Sequence, residues 1–120
     1  MELRIDQAAE QGILTALRAG QVRQAARLMV QYHGVAVFDV CVETVGDPEA
    51  AEDLTQATFA RAFALLHGFR GELTSREWLL GIALQSCEAA SAGTDSDRRA
   101  TDRTISDSLR RRLEVLASAV

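Results

Sequence analysis

The sequence predicts an all-α fold, a compact bundle of four to five helices. Apolar residues recur at three- and four-residue spacings along most of the 120-residue chain, which is the period of an amphipathic helix. The chain contains a single proline, and only residues 34–45 are rich enough in β-branched side chains to fit a strand. Because 48% of the residues are hydrophobic, there are enough apolar side chains for one buried core.

Two helices are predicted in the first third of the chain. The first runs from Asp6 to Ala19 and stops at Gly20, a residue type that favours helix ends. The second runs from Val22 to Thr44 and includes the β-branched segment. No strand-length partner for that segment exists elsewhere in the sequence, so we predict a helix there.

The third and fourth helices carry signals at their starts. Asp47 can cap the third helix, Pro48 fits its first position, and the helix is predicted to end at Leu66. Thr74 and Glu77 have the spacing of a capping box at the start of the fourth helix. Helical periodicity assigns one set of mostly apolar residues to the core: Leu54, Ala57, Thr58, Phe59, Ala62, Phe63, Leu66, Trp78, Leu79, Ile82 and Ala83.

The chain is predicted to divide into three parts. Residues 1–90 form the helical domain, residues 91–104 form a small, polar, flexible linker, and residues 105–120 form a basic C-terminal helix. Residues 1–97 contain seven arginines and fourteen acidic residues, whereas residues 98–120 contain six arginines and three acidic residues. An acidic body does not attract DNA by its overall field, so any DNA contact is expected to be local.

The arginines at positions 110–112 of the C-terminal helix have three possible environments. They can contact nucleic acid, an acidic surface of the body, or solvent alone. Solvation is the usual state of a charged helix face.

Catalysis, metal binding and membrane insertion are not predicted. His33 and His67 lack partners at metal-binding or catalytic spacing, so packing or capping is their expected role. Cys41 and Cys87 do not have zinc-site spacing, and Cys87 is expected to be a buried residue whose pKa the neighbouring Glu88 raises. The acidic N-terminus and the lack of a long uncharged apolar run indicate a cytoplasmic protein. No glycine-rich phosphate loop or metal-ligand spacing occurs in the sequence, so no cofactor is expected.

Two motif blocks carry a family resemblance. The first is Gly46-Asp47 followed by Ala51-Glu52-Asp53-Leu54 and Gln56, and the second is Phe69-Arg70-Gly71 followed by Trp78-Leu79 and Ile82-Ala83. In this order and spacing, residues 12–90 resemble region 2 of a bacterial sigma factor of the extracytoplasmic-function type. The resemblance implies a helical domain that binds the clamp helices of the RNA polymerase largest subunit and opens the minus-ten promoter element.

The resemblance assigns polymerase binding to the polar side of the third helix. That side carries four acidic residues and one amide, which can pair with arginines of a clamp helix: Asp47, Glu49, Glu52, Asp53 and Gln56. The alternative is a solvated acidic helix start that only offsets the helix dipole. Ala57 stands where the family usually has a glutamate, which removes one potential ion pair.

The resemblance also assigns DNA contact to the loop before the fourth helix. In the family, this segment captures a base extruded from the non-template strand. Arg70 and Arg76 would contact phosphate or base, and Thr74 or Ser75 would reach a base edge. The alternative is an ordinary connection between helices that ends in an N-terminal cap.

The fourth helix departs from the family pattern. After Ile82-Ala83 the family continues with arginine and asparagine, whereas this chain has Leu84 and Gln85, and no basic residue occurs between Arg76 and Arg98. Since phosphate neutralisation dominates DNA affinity, we expect weak duplex binding. The leading function is a sigma-like domain in transcription initiation. The alternative is a protein-interaction module that binds a regulator, such as an anti-sigma factor, or itself without reading DNA.

Overall fold

Five α-helices are present in the computed structural model, which describes residues 2–69, 71–91 and 107–119. They are α1 (Glu2–Arg18), α2 (Val22–Val45), α3 (Pro48–Ala64), α4 (Ser75–Ser91) and α5 (Asp107–Ala119). A 3₁₀ turn, Leu66–Gly68, follows α3, and these described ranges contain no strand. The predicted all-α bundle is confirmed. The predicted linker beyond residue 91, and Arg70, lie outside the described residues.

Helix α2 is the centre of the bundle, because each of the other four α-helices packs against it. Gly34, Val37 and Phe38 are buried within it, so the ambiguous segment is helical and not a strand. By length and composition α2 is apolar enough to cross a membrane, with a mean hydropathy of 1.2 over its most apolar window. Half of that window is buried inside the bundle, which is the pattern of a core helix.

The end of α1 is a glycine turn, as the sequence predicts. Gly20 has a φ of +78°, which places it in the left-handed region. Its N–H donates to the Leu17 carbonyl at 3.1 Å, and the Gln21 N–H donates to the Ala16 carbonyl at 2.8 Å. This pair of bonds satisfies the last carbonyls of α1 and turns the chain directly into α2.

The predicted starts of α3 and α4 are confirmed in atomic detail. The Asp47 carboxylate accepts hydrogen bonds from the N–H groups of Glu49 and Ala50 at 3.3 and 3.4 Å. At α4, the Thr74 N–H donates to the Glu77 carboxylate at 3.3 Å, and the Glu77 N–H donates to the Thr74 hydroxyl at 3.1 Å. Both caps satisfy backbone donors that have no partner inside the helix.

Three core predictions need correction. Ala57 is exposed to solvent. Leu54 and Trp78 are only partly buried against the core, and the Trp78 ring centroid lies 4.8 Å from that of Phe69. Leu66 is buried as predicted, but it lies in the 3₁₀ turn because α3 ends at Ala64.

A single core includes side chains from all five helices. Its largest fully buried members include Ile13 of α1, Phe38 of α2, Phe59 of α3, Leu79 of α4 and Leu109 of α5. Helix α5 therefore contributes to the same core as the preceding helices.

Cys41 and Cys87 are fully buried in this core. Burial is the main cause that raises the pKa of the Cys41 thiol to about 12, and the neighbouring Cys87 adds to the increase. Burial also raises the pKa of Cys87. The direction agrees with the sequence prediction, but the cause is desolvation and not Glu88.

Candidate functional site

The polar side of α3 brings the predicted polymerase-binding residues onto one surface. Glu49 and Asp53 are exposed, and Glu52 and Gln56 are partly buried beside them. Asp47 lies at the N-terminal end of the same surface. We call this surface, formed by Asp47, Glu49, Glu52, Asp53 and Gln56, the acidic face.

The opposite side of α3 holds the helix in the bundle. Ala51, Phe59 and Ala62 are fully buried there, together with two threonines. The hydroxyls of Thr55 and Thr58 donate to the carbonyls of Ala51 and Leu54, each at 2.7 Å, so these buried polar groups are satisfied within the helix. The acidic face therefore belongs to a helix whose opposite side is fixed in the core.

One member of the acidic face has a structural task. The Asp47 carboxylate caps α3, and its oxygens are engaged by backbone donors. Glu49 accepts no side-chain hydrogen bond or ion pair from the described residues. It is therefore the carboxylate most directly open to an external cation.

An arginine of α5 occupies the remaining part of the acidic face. Arg112 Nη1 donates to Gln56 Oε1 at 2.8 Å and lies 3.8 Å from Asp53 Oδ1. Arg112 Nη2 lies 3.6 Å from Glu52 Oε1. One guanidinium thus contacts three of the five predicted residues, whereas Arg110 and Arg111 are exposed.

Two shallow grooves continue the junction of α3 and α5 beyond this pairing. Leu116 shares one shallow groove with Gln56 and another with Ala60 and Phe63, and Ala119 borders the second groove. The contacts advance from residue 52 to residue 64 on α3 as they advance from residue 112 to residue 119 on α5. The two helices therefore lie side by side in the same direction.

The loop before α4 contains the residues predicted to contact DNA. Thr74 and Arg76 are exposed, and Arg70 is outside the described residues. Gly71 has a φ of +85°, and a Cβ at this position would lie 3.1 Å from Leu14 of α1. The loop is thus pressed against α1 at a point where only a glycine fits easily.

Ser75 does not offer its hydroxyl to the surface. Its side chain is fully buried, and the hydroxyl donates to Glu10 Oε2 at 2.5 Å and lies 2.9 Å from His33 Nε2. Glu10 also accepts from the N–H groups of Ser75 and Arg76, at 2.8 and 3.3 Å. Glu10 is therefore a second cap of α4, supplied by α1, and Ser75 drops out of the proposed DNA contact.

This buried cluster was not predicted from the sequence. Glu10, His33 and Ser75 lie on three different helices, and no local spacing joins them. Although serine, histidine and carboxylate occur together in hydrolases, here the hydroxyl and the carboxylate both approach the same imidazole nitrogen, with Glu10 Oε2 3.6 Å from His33 Nε2. Because the hydroxyl is also buried, this geometry does not suit a nucleophile. The cluster instead connects α1, α2 and α4 through polar contacts.

The exposed face of α4 is poor in positive charge. Leu84 is 45% exposed, and Gln85 and Glu88 are exposed beside it. Within α4 the sole basic residue is Arg76, in the first turn. The positions where the resembled family carries arginine and asparagine therefore do face outward, but they carry Leu84 and Gln85.

Comparison with family models decides the classification. The sigma-70 region 2 model matches residues 29–90, just over half of the chain. The chain belongs to the sigma-70 region 2 family. No curated protein and no solved structure gave a match. In this sigma-70 region 2 domain the match covers most of α2 and all of α3 and the loop before α4, and so includes the acidic face. Helix α5 lies outside it.

Proposed function

We propose that this sigma-70 region 2 domain binds the clamp helices of RNA polymerase through its acidic face. Family membership implies a role in transcription initiation through RNA polymerase and a non-enzymatic domain. The proposed surface consists mainly of residues on one side of α3, whose opposite side is buried in the core: Glu49, Glu52, Asp53 and Gln56. A cytoplasmic location follows from this role.

The contacts of Arg112 carry this proposal. A guanidinium on a helix fits between Glu52, Asp53 and Gln56, so the acidic face has the geometry to accept an arginine from a packed helix. Charge-assisted bonds of this type are stronger than neutral hydrogen bonds and favour arginine over lysine. A polymerase clamp helix with exposed arginines is the matching partner.

Charge reversal at Glu49 tests this proposal directly. Glu49→Arg places a cation on the acidic face without touching the core, the Asp47 carboxylate or Arg112. We expect association with purified RNA polymerase to weaken by about 10-fold or more, because like charges across an interface are strongly unfavourable. Glu88→Arg is the matched control, since it makes the same charge change on an exposed position of α4. Equal polymerase affinity in both variants would contradict the proposed surface.

We propose only weak, local DNA contact for the loop before α4. Thr74, Arg76 and Arg70 are the available residues, and they can neutralise few phosphates. Single-stranded minus-ten-like DNA is the expected ligand, because an extruded base needs only a few loop contacts. The fourth helix would add little, because beyond Arg76 its exposed face carries no basic residue.

That exposed face favours a second candidate function. Leu84 and the lack of basic residues between positions 77 and 97 suit a protein partner better than DNA. The domain would then be an interaction module for a regulator, such as an anti-sigma factor, or for a second copy. Polymerase association that competes with a known sigma factor would favour the first function. Self-association, or regulator binding without polymerase binding, would favour the second.

A further inference from the structure

The acidic face is already filled by a helix of the same chain. We propose that α5 is a built-in competitor for the partner of this face, and that α5 must move away before an arginine-bearing helix can bind there. This inference rests on the proposed function. It adds that the domain exists in a closed state, with α5 docked, and in an open state that can bind its partner.

The charge contacts of α5 imitate those expected from a partner. Arg112 contacts Glu52, Asp53 and Gln56, which are three of the five residues of the acidic face. A second guanidinium cannot take the same position while Arg112 remains there. The two ligands are therefore mutually exclusive at these residues, although Glu49 stays open.

An apolar stripe holds α5 in place. Leu109, Leu113 and Ala117 lie at four-residue spacing and are fully buried. At the far end, Arg27 of α2 donates to the Ser118 hydroxyl at 3.4 Å. These buried side chains fix the position of α5 on α2 and α3. In this position Arg112 lies against the acidic face.

Three features make this docking reversible. The Nε atom of Arg112 is buried and has no hydrogen-bond partner, so the guanidinium is incompletely satisfied in the closed state. The side chain of Arg112 is nevertheless 40% exposed and that of Asp53 is 81% exposed, so water weakens their attraction. In addition, a 13-residue helix is only marginally stable by itself, so α5 depends on docking for its order.

The occupant of the open state is an arginine-bearing helix that lies along α3. It would lie along α3 in the place that α5 now occupies, from Glu52 to Ala64. This side of α3 has the carboxylates of Glu52 and Asp53 at one end and the apolar side chains of Ala60 and Phe63 at the other. An extended or purely acidic segment does not match this combination.

The test uses full-length chains with Arg112→Glu and the control Arg110→Glu. Both changes add the same negative charge to α5, but only the first repels Glu52 and Asp53. We expect Arg112→Glu to accelerate amide exchange along α5 and to raise affinity for RNA polymerase about 2- to 5-fold, the range expected from losing exposed ion pairs. Arg110→Glu should change neither quantity. Protected amides in α2 verify that the bundle remains folded.

Amide exchange in the polymerase complex separates the two proposals. We expect α5 to lose protection when polymerase binds the unaltered chain. If polymerase binds while α5 stays protected, or if Arg112→Glu opens α5 without raising affinity, the competitor role is overturned and the acidic face remains. If Glu49→Arg leaves polymerase affinity unchanged, the acidic face itself is the wrong surface, and the competition falls with it.

Discussion

The carboxylate of Glu10 caps α4 through Ser75, a residue 65 positions later in the chain. It accepts hydrogen bonds from both the backbone N–H and the hydroxyl of Ser75, at 2.8 and 2.5 Å. A helix cap normally comes from the residues just before the helix, as Thr74 does here. The second cap from α1 therefore fixes the start of α4 relative to the first helix.

Loss of this cap should destabilise the domain. We expect Glu10→Ala to lower the free energy of unfolding by about 1–3 kcal/mol, because two backbone donors and a buried hydroxyl lose their acceptor. Denaturant unfolding measures the change, and Glu72→Ala is the control at an exposed acidic position. Amides of Ser75 and Arg76 should exchange faster in Glu10→Ala. Unchanged stability would show that the cap is not formed in solution.

The partly buried Trp78 should matter less than a fully buried aromatic residue. Substituting alanine for a buried aromatic residue typically costs about 3–5 kcal/mol, a range we expect for Phe59→Ala. We expect Trp78→Ala to cost about 2 kcal/mol, since part of its ring is already in water and its main described ring partner is Phe69. Trp78→Phe should recover most of that loss. Thermal unfolding of the three variants provides the ranking, and a larger loss for Trp78→Ala would contradict the observed burial.

The buried thiols should make the domain sensitive to alkaline pH. Burial raises the pKa of Cys41 from 9.0 to about 12, so between these values the unfolded chain loses its proton before the folded chain does. The contribution of this thiol to the free energy of unfolding is therefore fully present below pH 9 and is lost as the pH rises toward 12. Few other groups titrate there, because the chain has one tyrosine and no lysine.

The comparison of wild type with Cys41→Ala isolates this effect. Melting temperatures at pH 8, 9.5 and 10.5 should fall more steeply for the wild type than for the variant. Parallel curves would show that the thiol does not contribute. In the folded wild type at pH 8, thiol reagents should react slowly with both cysteines, since a thiol needs its thiolate form to react.

The exposed face of α4, which has no basic residue beyond Arg76, should limit DNA affinity. We expect the unaltered chain to bind duplex DNA no more tightly than about 10⁻⁴ M at physiological salt. The double change Leu84→Arg and Gln85→Asn restores the family pattern and should strengthen binding. One new phosphate contact would steepen the slope of log affinity against log salt by about 0.9.

A labelled duplex titrated at two salt concentrations measures both quantities. Val115→Arg is the control, because it adds the same charge at an exposed position of α5. Equal gains in both variants would indicate a nonspecific charge effect. Sub-micromolar, sequence-selective binding by the unaltered chain would show that DNA is bound elsewhere, and it would also exclude the interaction-module alternative.

Helix starts and stops were predictable because their signals are local. Asp47, Gly20 and the pair Thr74 and Glu77 each act within three residues of their own position, so the sequence alone contains the whole interaction. The exposure of Ala57 to solvent was not predictable in the same way. An alanine is small enough for either side of a helix, so its type carries little information about burial.

Two long-range contacts, one at the acidic face and one at the start of α4, depend on packing and not on local sequence. Arg112 meets Gln56 across 56 positions, and Glu10 meets Ser75 across 65. Each pair joins two helices that both pack against α2. An acidic surface of the body is one of the environments that the sequence allows for the arginines. Which arginine reaches that surface depends on how the buried leucines of α5 pack, and the sequence alone does not specify this.

The backbone conformation of Gly20 suits a D-amino acid better than an L-amino acid. Its φ of +78° is favourable for a D-amino acid, and beyond its two chain neighbours no atom lies within 4 Å of an added L-Cβ. L-Alanine there would meet only backbone strain, at a cost of about 1 kcal/mol. D-Alanine, introduced by chemical synthesis, would adopt this φ without backbone strain and would restrict the unfolded chain. The junction of α1 and α2 is thus a place where mirror-image chemistry would strengthen a natural protein.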